Sequence, residues 1–280
     1  MTKMLKKMVK NSNQALFIGL HLFSYQKRQA LYSVYAYVHH LNDIIISPRS
    51  KKEKLELLSA WQKEIERIFA GEKVVPHSEI GRAIKRNLQP YGVLKSDFAS
   101  LLESKKQYLK SDLVNFGWDD YQIYCYNECG AFISSVLRIL GCHNENLITE
   151  LSHSLGVALQ TTVVLRDVKD NAGSGKLYMP YSCLENAGIK EHNPYLVLAD
   201  NNLALARSEL SQTAVQAFSK SFVLISQLNK KVAARLKSMV YMYKYCFDVM
   251  EKRGWEVISP KPEPSCFTKV RLICKAYWGN

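Results

Sequence analysis

The chain has 280 residues, of which 47% are hydrophobic and 22% are charged. This length and composition predict a folded chain with a full core, and they exclude an intrinsically disordered or low-complexity protein. The formal net charge of +13 at pH 7 indicates an anionic partner, such as phosphate groups or an acidic membrane surface. No nucleic-acid partner is expected, because zinc-finger spacing, a helix-turn-helix signature and a long basic run are all missing from the sequence.

Apolar residues recur at three- and four-residue spacing along most of the chain, which predicts helices. The predicted helices span residues 26–46, 52–70, 79–90, 96–110, 118–140, 145–169, 203–228 and 232–253. Gly141 and Gly254 stand where C-terminal caps are expected. Strand signals are scarce. We expect an irregular crossover over residues 170–202. The helical pattern predicts a single all-α domain over the whole chain, residues 1–280.

The two ends of the chain bear on membrane contact. The N-terminal segment "MTKMLKKMVKNSNQALF" is basic and predicts a lead-in to the first helix, without the apolar core of a signal peptide. The C-terminal stretch "SCFTKVRLICKAYWGN" predicts a helix with Val270, Ile273 and Tyr277 on one face. That face either packs against the domain or binds peripherally to an anionic membrane. No stretch reaches the roughly 20 apolar residues of a membrane-spanning helix.

The seven scattered cysteines favour a reducing compartment over a secreted disulfide framework. We therefore expect a cytoplasmic protein, with peripheral contact at the inner face of the membrane if the C-terminal helix binds lipid. Cys125 and Cys129 lie four residues apart on a predicted helix, where core packing is a more frequent role than metal binding.

Acidic residues lie at the ends of two predicted helices. Asp43 is near the end of the helix over residues 26–46, and Asp167 and Asp170 are at the end of a later one. Facing helix ends of this kind could hold Mg²⁺ ions, because hard cations take oxygen ligands and leave room for substrate phosphates. Nearby bases could bind a diphosphate: Lys27, Arg28, Arg166 and Lys176. Solvated helix-end charges with a few ion pairs are the alternative.

Four motifs, in their order and spacing, resemble the squalene/phytoene synthase family. They are "QKRQALYSVYAYVHHLNDIII", "YQIYCYNECGAFISSVLRILG", "LGVALQTTVVLRDVKDNAGSGKLYMP" and "RGWEVISPKPEPSCFTKVRLICKAYW". The resemblance implies the all-α isoprenoid synthase fold, with helices around a central cavity. It also implies a reaction that joins two farnesyl- or geranylgeranyl-type diphosphates head to head. This reaction depends on Mg²⁺ ions, which two aspartate-rich motifs bind. No motif indicates NADPH, and the oligomeric state is left open.

The resemblance assigns roles to individual residues. Tyr124 and Arg166 are the expected catalytic residues. By the resemblance, the expected diphosphate- and substrate-binding residues are Gln160, Arg166, Lys176 and Tyr178, and Lys27 and Arg28 are added to them for their charge. The expected metal ligands are Asp43, Asp167 and Asp170, with Asn42 and Asn171 as weaker ligands.

The aspartate-rich motifs are depleted relative to the family pattern. Asn42, Ile46 and Asn171 stand where the family has aspartates, and Val163 replaces an asparagine. The aspartate of an intervening motif is Tyr108. Two functions therefore stay open. The first is a divergent prenyltransferase, and the second is a non-catalytic member that acts as a lipid-binding protein or a respiratory-complex assembly factor.

Overall fold

The structure of the protein is a computed structural model that describes residues 23–110 and 117–279. The described residues form thirteen α-helices and no β-strand. In chain order they are α1 Tyr25–Ile46, α2 Lys51–Phe69, α3 Glu79–Leu88, α4 Lys95–Lys110, α5 Trp118–Cys125, α6 Ala131–Leu140, α7 Glu145–Arg166, α8 Val168–Gly173, α9 Tyr181–Asn186, α10 Pro194–Ala199, α11 Leu203–Ser226, α12 Lys230–Arg253 and α13 Cys266–Trp278. The predicted N-terminal lead-in lies outside the described residues.

The chain divides into two compact units. The first contains residues 1–110 and 131–149, and the second contains residues 111–130 and 150–280. Each unit has its own core. The prediction of a single domain over residues 1–280 stays a prediction.

The core of the first unit is built on α1. Its buried side chains recur at helical spacing, as at Val34, Tyr37 and Leu41. The Tyr37 ring lies 5.2 Å from that of Trp61 on α2, and its hydroxyl donates to the Phe98 carbonyl on α4 at 2.9 Å. The phenol is therefore buried without an unpaired hydroxyl, which joins three helices at one point.

Side-chain caps fix the starts of α2 and α3. Ser50 and Glu53 form a reciprocal capping box at the start of α2. At α3 the Ser78 hydroxyl accepts from the Gly81 amide, and the buried Glu64 carboxylate accepts from the Ser78 amide. The carboxylate thus satisfies donors at the positive end of the helix.

The second unit contains a buried arginine that ties distant segments together. Arg207 on α11 is 1% exposed. Its guanidinium donates to the Leu165 carbonyl at 3.1 Å and to the Trp255 carbonyl. Burial, and then the nearby charge of Arg253, lower the pKa of Arg207 to about 10. The cation stays charged at neutral pH and bonds the end of α7 to the segment that follows α12.

The predicted helices are confirmed, with three differences. The helix expected over residues 118–140 is interrupted by a π-helical turn, Tyr126–Gly130. The helix expected over residues 145–169 ends at Arg166, because Asp167 leaves helical geometry with φ −100° and ψ 14°. The crossover expected to be irregular over residues 170–202 contains the short helices α9 and α10.

The π-helical turn lies where the chain crosses α7 closely. A Cβ atom on Gly130 would lie 2.7 Å from the Ser152 carbonyl oxygen on α7, and one on Gly156 would lie 3.1 Å from the Gly130 Cα. Two glycines therefore allow the two backbones to approach closely. The extra residue of a π-helical turn is one way to adjust side-chain direction at such a crossing. The predicted caps are confirmed, since Gly141 and Gly254 have φ of +97° and +91°.

The predicted C-terminal helix is confirmed as α13, but its buried face differs from the prediction. Leu272 and Ala276 are buried, whereas Val270 is 52% exposed. Ile273 and Tyr277 are half-buried at the edge of the packed face. Val270, Ile273 and Tyr277 share one side of the helix as predicted, but the packed face is centred on Leu272 and Ala276, so this side lies at its edge.

Candidate active site

Three predicted residues form one buried cluster in the second unit. Gln160 on α7 donates its side-chain amide to the Tyr124 hydroxyl on α5 at 2.8 Å. The rings of Tyr124 and Tyr178 stack with centroids 5.2 Å apart and planes 9° apart. Burial raises the pKa of Tyr124 well above its usual range, so its hydroxyl keeps its proton at neutral pH. The cluster combines aromatic faces with a neutral phenol, and aromatic faces attract cations.

Glu128 adds a carboxylate beside this cluster, and the sequence analysis missed it. It lies in the π-helical turn directly after the Tyr124 motif, and its charge is the second cause, after burial, of the raised pKa of Tyr124. Burial and then Glu128 also raise the pKa of Cys129 to about 12. The sequence signal was an acidic residue inside an otherwise apolar and aromatic motif, "YCYNECGAF".

Arg166 and Asp167 pair directly where α7 ends. Arg166 donates Nε to Asp167 Oδ1 at 2.9 Å and Nη2 to Oδ2 at 2.8 Å. This two-bond geometry is the strong form of an arginine–carboxylate interaction. The bond to Asp167 raises the pKa of Arg166 above its already high usual value, so it remains a cation.

A lysine that the sequence analysis did not single out completes this group. Lys261 Nζ lies 2.9 Å from Asp167 Oδ1 and also contacts Asp170 Oδ2. Burial alone would raise the pKa of Asp167, but Arg166 and Lys261 outweigh it and lower that pKa. Burial lowers the pKa of Lys261, and the two aspartates outweigh that effect and raise it. The available signal was the match of its segment, "RGWEVISPKPEPSCF", to the family's C-terminal motif.

The loop after α8 places the predicted basic residue Lys176 near the same helix end. The Asn171 carbonyl accepts from the Lys176 amide at 2.9 Å, and Gly175 has φ +70°. A glycine suits this left-handed position. Two residues on, Tyr178 joins the tyrosine stack, so one short loop connects the predicted diphosphate-binding lysine to the aromatic cluster.

The predicted residues of the first unit have local partners on their own helices or their own unit. Asp43 Oδ2 lies 2.9 Å from His39 Nδ1, one turn earlier on α1. Lys27 Nζ donates to the Leu140 carbonyl at 2.8 Å, at the end of α6. Arg28 lies over the Tyr25 ring at 6.0 Å. Since Asp43 and Asp167 belong to different units, their facing arrangement stays a prediction.

Ile46 shows that the depleted first motif has lost a possible oxygen ligand for a metal ion. Its side chain is 79% exposed, at a position where the family pattern has an aspartate. The neighbouring Asn42 is exposed as well. An isoleucine offers no oxygen to a metal ion, and Asn42 offers one neutral oxygen.

The described carboxylates do not fit a magnesium cluster in the arrangement that they adopt. Both oxygens of Asp167 bond to cations of the chain, and Asp170 bonds to one of them. Within residues 23–110 and 117–279, no group of three or more His, Cys, Asp or Glu side chains is placed to hold a metal ion. A divalent ion at Asp167 would have to displace Lys261 or Arg166.

Comparison with known proteins then identifies the family. The family model for squalene/phytoene synthase matches residues 9–269. The chain belongs to the squalene/phytoene synthase family. It is 25% identical over 241 residues to a presqualene diphosphate synthase of Sinorhizobium fredii, covering 86% of this chain and 85% of that protein. It is 24% identical over 256 residues to a 15-cis-phytoene synthase of Synechococcus elongatus, covering 87% and 82%.

Solved structures agree on the fold of this squalene/phytoene synthase family member. A dehydrosqualene synthase in complex with a ligand has a TM-score of 0.84 at 18% identity, covering 98% of this chain and 94% of that one. A squalene synthase from Alicyclobacillus acidocaldarius has a TM-score of 0.78 at 21% identity, covering 90% and 94%. The predicted all-α isoprenoid synthase fold is confirmed.

Proposed function

We propose that this family member binds prenyl diphosphates and joins two of them head to head. The observation that supports the proposal most is the cluster of Tyr124, Gln160 and Tyr178 in the same unit as Arg166 and Lys261. Loss of diphosphate from an allylic carbon leaves a carbocation and a highly charged leaving group. Aromatic faces stabilise the first, and fixed cationic donors stabilise the second.

The roles of the residues follow from their chemistry. Arg166 and Lys261 would hold the departing diphosphate, with Lys176 from the adjoining loop. Lys27 and Arg28 of α1 stay predicted diphosphate-binding residues. Tyr124 and Tyr178 would face the carbocation, and Gln160 would fix the direction of the Tyr124 hydroxyl. The Glu128 carboxylate would add a compensating negative charge near that cation.

A product assay tests the proposed condensation. Purified protein is incubated with farnesyl diphosphate or geranylgeranyl diphosphate, with Mg²⁺ or with a chelator, and the organic extract and the released diphosphate are measured. We expect a head-to-head product from at least one substrate. Binding of a prenyl diphosphate without any product in either buffer would contradict the condensation and favour the second function below.

The second candidate is a non-catalytic, lipid-binding family member, including an assembly factor of a respiratory complex. The observation that favours it is the pairing of Asp167 and Asp170 with Lys261, together with the exposed Ile46 in place of an acid. A protein of this kind would keep the fold and the aromatic cluster to hold an isoprenoid. In neither function does the proposal include an NADPH-dependent reduction.

We also propose that the protein is cytoplasmic and makes a peripheral contact with the inner face of an anionic membrane. In the described ranges no helix has the length and apolar character needed to cross a bilayer. On α13, however, Phe267, Val270 and Trp278 are 80%, 52% and 78% exposed. Their spacing places them on one side of the helix, opposite Leu272 and Ala276. Exposed Arg271 and Lys275 flank this apolar stripe, which suits a helix that lies in the headgroup region.

A further inference from the structure

We propose that Lys261 takes the place of a divalent metal ion at Asp167 and Asp170, so that diphosphate binds at these aspartates through a tethered ammonium group. The inference rests on the proposed function only for the identity of the ligand. Its starting observation is that one ammonium nitrogen contacts an oxygen of each aspartate, as a bridging metal ion would.

Local charge balance supports this assignment. Two carboxylates, Asp167 and Asp170, are matched by two cations, Arg166 and Lys261. Asp167 is 18% exposed and Lys261 is 33% exposed, so both charged groups are partly desolvated, and their pairing offsets that penalty. A Mg²⁺ ion would have to break these bonds and leave the lysine ammonium beside a second cation. The Lys261 ammonium group therefore competes with a metal ion for Asp167 and Asp170.

Lys261 is held in place by the segment that carries it. Arg253 at the end of α12 donates to the Pro260 carbonyl, and the Cys246 thiol donates to the Pro262 carbonyl at 3.3 Å. Both residues next to Lys261 are thus anchored to α12 through their backbone. A lysine on an anchored segment loses less conformational entropy on binding an anion than a lysine on a free surface loop.

Arg207 links this segment to the acids. The same buried guanidinium bonds the Leu165 carbonyl, which directly precedes Arg166, and the Trp255 carbonyl at the start of the Lys261 segment. A core residue therefore fixes the position of the lysine segment relative to the aspartates, through hydrogen bonds to the backbone on either side. Arg207 acts as a positioning residue for the pair.

The ammonium group has bonding capacity left for a ligand. A lysine has three N–H donors, and the two aspartates use two of them. The third can donate to a phosphate oxygen. A diphosphate bound in this way needs no divalent ion at Asp167 and Asp170.

Calorimetry with inorganic diphosphate tests the ligand half of the inference. In the full-length protein, affinity in a chelator should equal that in Mg²⁺ within about twofold, whereas Lys261→Ala should bind about tenfold more weakly in the chelator, as expected for one charge-assisted hydrogen bond. Lys261→Arg should retain most of the affinity, and Lys252→Ala, an exposed lysine on α12, should behave as wild type. Diphosphate binding by the wild type that requires Mg²⁺, or an unchanged affinity of Lys261→Ala, would overturn the inference.

A metal titration without diphosphate tests the other half independently of the proposed function. Mn²⁺ serves as the probe, and its binding is followed by electron paramagnetic resonance. Wild type should show no tight Mn²⁺ site at these acids, Lys261→Ala should gain one, and Lys261→Ala with Asp170→Asn should lose it again. A tight Mn²⁺ site in wild type that Asp170→Asn removes would contradict the role of Lys261. No binding of inorganic or farnesyl diphosphate in any buffer would instead contradict the proposed function, together with the ligand half of the inference.

Discussion

Lys261 Nζ lies 2.9 Å from Asp167 Oδ1, although the two residues are far apart in the chain. Asp167 is 18% exposed and Lys261 is 33% exposed, so solvent screens their interaction less than it screens a fully exposed pair. We expect a double-mutant cycle of Asp167→Asn and Lys261→Met to give a coupling of about 1–3 kcal/mol in the free energy of unfolding. The measurement is urea unfolding of the four proteins.

The matched control for this cycle is the pair Lys220 and Glu150, whose side chains are 60% and 53% exposed. An exposed pair of this kind should couple by about 0.5 kcal/mol or less. Equal coupling in the two cycles would show that Lys261 and Asp167 form an ordinary surface ion pair.

Removal of the Tyr124 hydroxyl should lower activity more than stability. Tyr124→Phe keeps the ring that stacks on Tyr178 but leaves the buried Gln160 amide without this acceptor, at a cost of about 1–3 kcal/mol. We expect a reduced yield of condensed product with the melting temperature lowered by a few degrees, as about 1 kcal/mol corresponds to a few degrees in a chain of this size. Tyr195→Phe, at a 57% exposed position, is the control. Full activity of Tyr124→Phe would show that the Tyr124 hydroxyl has no role in the reaction.

A methyl group at Gly130 should disturb the π-helical turn. The new Cβ would meet the Ser152 carbonyl oxygen and a Tyr126 ring atom, each at 2.7 Å. Overpacking of this kind destabilises proteins by about 1–3 kcal/mol. The measurement is chemical unfolding of Gly130→Ala, with Gly71→Ala as control because nothing lies within 4 Å of a Cβ there. Equal stability of the two variants would show that the crossing accommodates a side chain.

Buried Asp97 should make stability depend on pH. Burial raises the pKa of this carboxyl from 3.8 to about 6, although the Ser134 and Ser135 hydroxyls and Arg138 oppose the shift. The folded state then binds more protons than the unfolded state between these values. Stability contributed by this group should therefore fall as pH rises from about 4 to about 6, by up to about 3 kcal/mol, and stay constant above.

The Asp97→Asn variant isolates this effect because it removes the charge and keeps an oxygen acceptor for Ser134. Urea unfolding of both proteins at several pH values gives the difference between them. The difference in the free energy of unfolding should change between pH 4 and 6 and stay constant above pH 6. Parallel curves for the two proteins would show that Asp97 titrates normally.

The exposed stripe of α13 should bind anionic liposomes. Phe267→Ser with Trp278→Ser should reduce co-sedimentation several-fold at low salt, because both side chains contribute apolar area to the headgroup region. High salt should weaken wild-type binding, since Arg271 and Lys275 attract anionic lipid. Val223→Ser on α11, 63% exposed, is the control. Equal sedimentation of all three proteins would exclude α13 as the contact.

Helix positions were predicted well from the sequence because the spacing of apolar residues is a local property. The Tyr37 and Leu41 face of α1 shows this, as does the glycine cap at Gly254. The breaks at Tyr126–Gly130 and at Asp167 were not predicted. They coincide with a close helix crossing and with an ion-pair group, whose partners lie elsewhere in the chain.

The sequence by itself determined the family and the chemical identity of the candidate site. Tyr124, Gln160, Arg166 and Asp167 stand in local motifs, and the losses at Ile46 and Val163 are visible in the same motifs. Only the tertiary structure decided what these residues bond to. No local pattern connects Lys261 with Asp167, because the two residues meet through tertiary packing, in which Arg207 also bonds the end of α7 and the segment after α12.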